Sequence, residues 1–296
     1  FFFFFMSSVR PRRSVLYMPG ANTRALEKAR TLPADALIFD LEDAVAPDAK
    51  AAARDNVCAA AASKSYGKRE IAIRANGLAT PWGKDDLAAI AKSGADAALI
   101  PKVESAAMVK EALGLLDKAG APRGMTLWCM IDTPLGILQA QEIAAADARV
   151  AVFIMGTNDL LKDTRAQSTP DRLPLLASLS IAILGARAYG KTILDGVYND
   201  IQDVEGFKAQ CRQGLQLGFD GKTLIHPTQV EPCNEIFAPS EKEIAQARKI
   251  IAAFEEAEAA GKGVVQVDGR MVENLHVEQA RRTLALSDAI AELARG

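Results

Sequence analysis

The sequence predicts an α/β protein: a (β/α)8 TIM barrel carrying a C-terminal helix–hairpin–helix lid. Three observations lead there. Eight short, nearly continuous apolar runs recur between residues 14 and 227. Such runs read as strands covered on both faces, and therefore as a parallel sheet. Helical patterns fall between them, and eight β-then-α units are the content of one such barrel. A doubly wound open sheet is the alternative. It is weakened because no GxGxxG follows the first run.

The eight runs are SVLYMPG (14–20), ALIFDLED (36–43), EIAIRAN (70–76), AALIPKV (97–103), TLWCMID (126–132), VAVFIMG (150–156), KTILDGV (191–197) and GKTLIHP (221–227). Glycine, proline or charge bounds each one. TRALEKA, GKDDLAAIAKSG and SAAMVKEALGLLDKAG are examples of the helical segments between them. The barrel is assigned to residues 9–239 and the lid to 240–296. The lid opens with a capping box, Ser240 and Glu243, and its first helix stops at Gly261. VVQVDGRMVE follows, and its Asp268-Gly269 pair is a hairpin signal. A last amphipathic helix closes the chain.

Composition narrows the function. The chain has 296 residues and a formal net charge of −2, which argues against nucleic acid as its main partner. The four cysteines form no CxxC motif, so a reduced, cytoplasmic protein is expected. No apolar run is long enough to span a bilayer, and no membrane partner is expected. The opening FFFFF lacks a basic region and a cleavage site; Met6 reads as the natural start.

In this architecture chemistry gathers where strands run out into the βα loops. Those positions hold Pro19-Gly20 with Arg24 just beyond, Asp40 with Glu42-Asp43, Arg74, Lys102, Asp132, Asp159, Asp195 and His226. Acid after acid follows an apolar strand. Buried carboxylates are costly unless something positive meets them. A divalent cation would do so, and Mg2+ suits one or two carboxylates plus substrate oxygens. Asp132 and Asp159 are the expected metal ligands. Glu42 and Asp43 would hold metal-bound waters, and Asp40 would be structural. Arg74 has the planar fork that binds a carboxylate or enolate in two-pronged fashion; a salt bridge to Glu42 or Asp43 is the alternative. Lys102 is either a partner to these acids, beside the substrate, or a structural bridge. Pro19, Gly20 and Arg24 are a candidate phosphate site at a helix start, against a plain structural turn. His226 reads as a hydrogen-bonded structural residue.

LYMPGAN, DLEDAV, IRANG, PKVES, MIDTPLGI, GTNDL and IHPTQV occur in this order. Together they make the chain resemble the HpcH/HpaI superfamily, in the branch of citrate lyase β-subunit and malyl-CoA and citramalyl-CoA lyases. The resemblance implies a TIM barrel, Mg2+, and cleavage or formation of a carbon–carbon bond in 3-hydroxyacyl-CoA thioesters, giving an acyl-CoA and a 2-oxo acid. It implies a homo-oligomer, a trimer or hexamer, in which the C-terminal segment covers a neighbour's active site. By motif it places the metal on Asp132 and Asp159, the substrate arginine at Arg74, and the lid's catalytic acid at Glu273 in GRMVE. Two positions depart from the pattern: the first metal ligand is commonly Glu, and the lid acid is commonly Asp. A malyl-CoA thioesterase, a CoA-independent class II aldolase and a non-catalytic acyl-CoA-binding subunit are the alternatives.

Overall fold

The computed structural model describes residues 9–261 and 263–295. The opening phenylalanines and Met6 lie outside the described residues. Eight parallel strands close into a barrel, β1 through β8 in sequence order, with β8 pairing back to β1. They are β1 (Ser14–Pro19), β2 (Ala36–Asp40), β3 (Glu70–Arg74), β4 (Ala97–Ile100), β5 (Thr126–Ile131), β6 (Val150–Met155), β7 (Thr192–Asp195) and β8 (Gly221–Leu224). Each lies inside one of the eight apolar runs.

The helices between them are α1 (Thr23–Lys28), α2 (Lys50–Ala62), α3 (Gly83–Ile90), α4 (Ala106–Lys118), α5 (Pro134–Leu138), α6 (Ala140–Ala145), α7 (Thr157–Thr164), α8 (Leu176–Ala188), α9 (Val204–Leu217) and α10 (Val230–Phe237). Their starts follow local chemistry. Asn22, Ser105, Thr133 and Asp203 each accept a hydrogen bond from a backbone N–H of the first turn, which satisfies a donor that the helix cannot.

Alternation along the strands sorts side chains into two layers. Val15, Ile38, Ala72, Leu99, Trp128, Ile154 and Leu194 fill the barrel. Leu16, Leu37, Phe39, Ile73, Cys129, Phe153 and Ile193 point the other way, into a second cluster shared with helix residues such as Val57, Leu87 and Leu116. Burial on both faces explains why no polar alternation is visible in the sequence. Below the barrel, Arg12 forms a two-pronged ion pair with Glu70 at 2.6 and 2.9 Å and lies 5.6 Å from the Trp128 ring.

The same alternation corrects one strand end. Asp195 follows the inward Leu194 and so faces outward. It is fully buried, accepting from Arg172 Nη1 at 2.7 and 2.8 Å and from Lys222 Nζ at 3.0 Å. It therefore serves an internal ion network, not the barrel mouth.

Arg12–Phe237 form one compact unit; the described residues before Arg12 and from Ala238 onward form another. In the second, α11 (Glu241–Ala259) begins at the Ser240–Glu243 capping box. The hairpin strands β9 (Val265–Val267) and β10 (Arg270–Val272) pair antiparallel, and α12 (Asn274–Ala294) ends the unit. Asp268 and Gly269 have φ of 48° and 80°, the left-handed pair that a two-residue hairpin needs. Phe254, Val267, Val272 and Val277 form this unit's own apolar cluster. Among the described residues no helix is long and apolar enough to cross a membrane.

Candidate active site

The barrel's upper mouth is built by strand ends whose alternation turns side chains inward. Asp40 continues the inward row of β2, Arg74 that of β3, and Asp132 that of β5. Asp40 bends the chain after its strand: its two carboxylate oxygens accept from the Glu42 and Ala44 backbone N–H groups at 2.9 and 3.0 Å. Lys50 Nζ holds the Leu41 and Glu42 carbonyls at 2.8 and 2.7 Å. Glu42 is thereby carried over the mouth.

Arg74 is the centre of charge. Its Nε and Nη2 donate to Asp40 at 2.6 and 2.7 Å. Its Nη1 meets Glu42 at 2.9 Å and Asp43 at 3.2 Å. Its guanidinium lies 4.9 Å from the Tyr17 ring centroid. The two-pronged edge expected to clamp substrate is thus filled by Asp40, the acid that sequence reasoning set aside as structural. What Arg74 turns towards the mouth is Nη1. Burial pushes the Asp40 carboxyl upward, but the Arg74 charge and hydrogen bonds outweigh it and hold the group below its ordinary range.

Lys102 lies past the end of β4, where alternation would send its side chain outward. Its φ of 53° places the backbone in the left-handed region, sparsely used by residues other than glycine. The Lys102 ammonium stands 3.1 Å from Asp159 and 3.8 Å from Glu42. Asp159 sits in the first turn of α7, where the helix dipole favours an anion, and also accepts from Lys162 at 2.9 Å. Burial works against its ionisation, yet the bonds from Lys162 and Lys102 hold the carboxyl below its ordinary range.

Asp132 is 1 % exposed, and both its carboxylate oxygens are sealed from solvent without a hydrogen-bond partner. It occupies room left by Gly156, the residue after β6: a Cβ there would lie 2.1 Å from the Asp132 Cβ. Burial, with Asp159 and Glu42 adding to it, pushes the Asp132 carboxyl up to about 7. Glu42 is pushed up to about 7 as well, first by burial and then by Asp43 and Asp40, against the opposing charges of Arg74 and Lys102. Carboxylates 40, 42, 43, 132 and 159 thus face two cations, Arg74 and Lys102, with Lys162 alongside. A hard cation fits this donor set. Asp132 supplies two free oxygens, and Asp159 supplies oxygens now held only by half-exposed or exposed ammonium groups. Among the described residues no three of His, Cys, Asp and Glu form a complete protein cage, in keeping with the few protein ligands Mg2+ takes.

Other predicted residues stand apart from this cluster. Gly20 packs against β2, donating its N–H to the Asp40 carbonyl at 2.9 Å, and a Cβ would come within 2.6 Å of that oxygen. Pro19 pairs with Asp40 in the β1–β2 register. Both positions are explained by this close approach. Arg24 is exposed on α1, a helix of 6 residues whose Ala25 N–H is already capped by Asn22. His226 accepts from the Thr228 N–H at 3.3 Å and caps the turn after β8. Glu273 belongs to the C-terminal unit, where it is exposed at the start of α12 and its backbone N–H donates to His276 Nδ1 at 3.1 Å. Sequence reasoning missed Tyr17. Its signal was present, since Val15 and Tyr17 share the inward face of β1.

The profile of the HpcH/HpaI aldolase/citrate lyase family matches residues 13–227. The chain belongs to this family. A second profile, for a C–C bond lyase of the TIM-barrel fold, matches residues 175–290. Among family relatives, a (3S)-malyl-CoA thioesterase of Cereibacter sphaeroides is 53% identical over 95% of this chain and 96% of its own length. The citrate lyase subunit beta of Leuconostoc mesenteroides subsp. cremoris is 39% identical, covering 96% of each chain. The crystal structure of CitE from Mycobacterium tuberculosis in complex with magnesium, acetoacetate and coenzyme A superposes with a TM-score of 0.74 at 30% identity, covering 93% of this chain and 97% of that one. The named relatives include both a lyase subunit and a hydrolase.

The raised Asp132 carboxyl has a measurable consequence. Asp ionises near about 4 in an unfolded chain, but here only near about 7. Between those pH values the native carboxyl keeps a proton that the unfolded chain has released, so its contribution to stability falls as pH rises. Metal-free Asp132→Asn should therefore melt above the parent at pH 8, with a smaller gain at pH 5. Equal gains at both values, or a loss at pH 8, would contradict the buried, unpaired carboxylate.

Proposed function

We propose that the protein is a Mg2+-dependent enzyme acting on a malyl-CoA-type 3-hydroxyacyl thioester, and that it hydrolyses the thioester. The sequence alone put carbon–carbon cleavage first and hydrolysis second. The 53% identity to a (3S)-malyl-CoA thioesterase over nearly the whole chain favours the reverse order. The observation that carries the site assignment is Asp132, buried at the mouth with two unpartnered oxygens.

Asp132 and Asp159 would hold the metal, which when bound supplies Lewis acidity toward substrate oxygens. Arg74 Nη1 faces the mouth and stabilises the charge that grows on the thioester oxygen during attack. Glu42 titrates near about 7, the range in which a carboxylate both accepts and returns a proton near neutral pH. It takes a proton from the attacking water while the water oxygen bonds to the carbonyl carbon. Collapse then breaks the C–S bond, and the departing sulfur takes a proton, leaving malate and CoA. Asp43, 70% exposed and paired to Arg74, holds Nη1 in place until substrate arrives. With Asp159 holding the metal, Lys102, which pairs with it at 3.1 Å, would be free to meet the substrate's anionic end. Arg24, with the Pro19-Gly20 turn beside it, receives a CoA phosphate.

The second reading is the lyase, favoured by the citrate lyase subunit relatives and the lyase profile. There a base takes the C3 hydroxyl proton, its oxygen becomes the carbonyl of a 2-oxo acid as the bond between C2 and C3 breaks, and Glu273 protonates the acetyl-CoA enolate carbon left behind. The Glu273 in question comes from a neighbouring copy in a homotrimer or hexamer.

Stoichiometry separates the two readings. With (3S)-malyl-CoA and Mg2+, equimolar free thiol and malate are expected, without glyoxylate. Acetyl-CoA and glyoxylate in equal amounts would move the assignment to the lyase, and no turnover of any malyl-type thioester would sink both. The neighbour's lid is tested by shuffling chains. Under the lyase reading, Asp159→Ala and Glu273→Ala homomers should each be nearly inactive, and verified hetero-oligomers of the two should regain part of the activity. Hetero-oligomers that show only the sum of the residual activities would exclude a lid acid acting across subunits.

A further inference from the structure

Lys50 sits against its local preferences. It is the first residue of α2, where the helix dipole disfavours a cation. It is also buried, with 6 % of its surface exposed, where an ammonium is costly without an opposite charge. Among the described residues it is met by two backbone carbonyls and an aromatic ring, not by a carboxylate: Leu41 and Glu42 accept from its Nζ at 2.8 and 2.7 Å, and the Trp82 ring centroid lies 5.4 Å away. A residue that breaks local rules in this way points to a task outside its own helix.

The two carbonyls belong to the peptides on either side of Glu42. The first peptide is held at both edges, because Lys50 takes its carbonyl and Asp40 takes its N–H at 2.9 Å. The second is held by Lys50 and by the Val45 N–H, which donates to the Glu42 carbonyl at 3.1 Å. Peptides pinned on both sides of a residue fix its backbone dihedrals, and those fix where its Cα–Cβ bond points. The Glu42 carboxylate is thereby brought 2.9 Å from Arg74 and 3.8 Å from Lys102. Trp82 precedes α3, so the same ammonium also ties the loop after β2 to the loop after β3.

We propose that Lys50 is a positioning residue: its ammonium, clamped on the Leu41 and Glu42 carbonyls, aims the Glu42 carboxylate at the attacking water. The inference rests on the hydrolysis reading given above, in which Glu42 takes the water's proton, and deepens it. Proton transfer needs the base within hydrogen-bond reach of the proton it removes, and a misplacement of about 1 Å costs roughly a hundredfold in rate. An apolar side chain could fill the same space but could not hold the carbonyls. Lys50 therefore acts on the reaction through the backbone of Glu42.

Lys50→Met keeps the length of the side chain and deletes its charge and its donors. The measurement is kcat and KM for (3S)-malyl-CoA hydrolysis at saturating Mg2+, in the parent and in a Glu42→Gln background. The expected result is kcat lowered about tenfold or more with KM nearly unchanged. In the Glu42→Gln background the same substitution should lower the residual kcat by less than about twofold, because two residues that act as one unit do not add. Lys50→Gln, whose amide is one bond too short to reach both carbonyls, goes through the same cycle and supplies the test should Lys50→Met fail to fold; its loss is smaller and should vanish in the same background. Parental kcat in either folded variant, or the same fold-loss in both backgrounds, would overturn the proposal. Parental kcat in Glu42→Gln alone would overturn the reading of Glu42 as the base, and it is seen before Lys50 is touched.

Discussion

Arg74 is the group on which the barrel mouth depends. One guanidinium meets Asp40, Glu42 and Asp43 and stacks on Tyr17. Without it, carboxylates at the end of β2 would stand together over a water-poor floor, at a desolvation cost no hydrogen bond there could offset. Its pairing with Asp40 is also what shapes the loop, because the same Asp40 oxygens hold the Glu42 and Ala44 N–H groups. Position of the acids and neutralisation of the acids are therefore one arrangement.

That arrangement leaves an imbalance across the mouth. On the β2–β3 side, acids and cation are matched by short contacts. On the β5–β6 side, Asp132 has no partner and Asp159 is met only by lysines that solvent reaches. This is the side on which the proposed metal would sit. Lys102 can reach that side from β4 only because a left-handed backbone turns the residue back over the mouth. The mouth thus pairs one buried cation, Arg74, with one half-exposed cation, Lys102.

The barrel was legible because strands buried on both faces leave near-continuous apolar runs, and all eight were in place. The hairpin was legible through Asp268-Gly269, a pair suited to the two left-handed residues that such a turn requires. The acid-rich mouth was legible as a cluster, but its internal wiring was not. Asp40 reads as structural, but the sequence does not show that strand alternation turns it inward onto Arg74. Asp195 reads like the other strand-end acids, yet alternation puts it outward on Lys222 and Arg172. Lys102 reaches the mouth through a backbone conformation that no residue type announces. The room for Asp132 depends on Gly156 from the next strand, a contact between residues far apart in sequence.

The central claim is that the unpartnered carboxylate of Asp132, with Asp159, forms a divalent-cation site from which Lys102 withdraws. Diffraction from crystals grown with Mn2+ in place of Mg2+ tests it most directly, because the anomalous signal locates the ion without assumption. The account predicts one strong peak within bonding distance of Asp132 and Asp159 oxygens, with the Lys102 ammonium no longer on Asp159. A strong peak elsewhere, with Asp132 still unliganded and Lys102 still on Asp159, would contradict it.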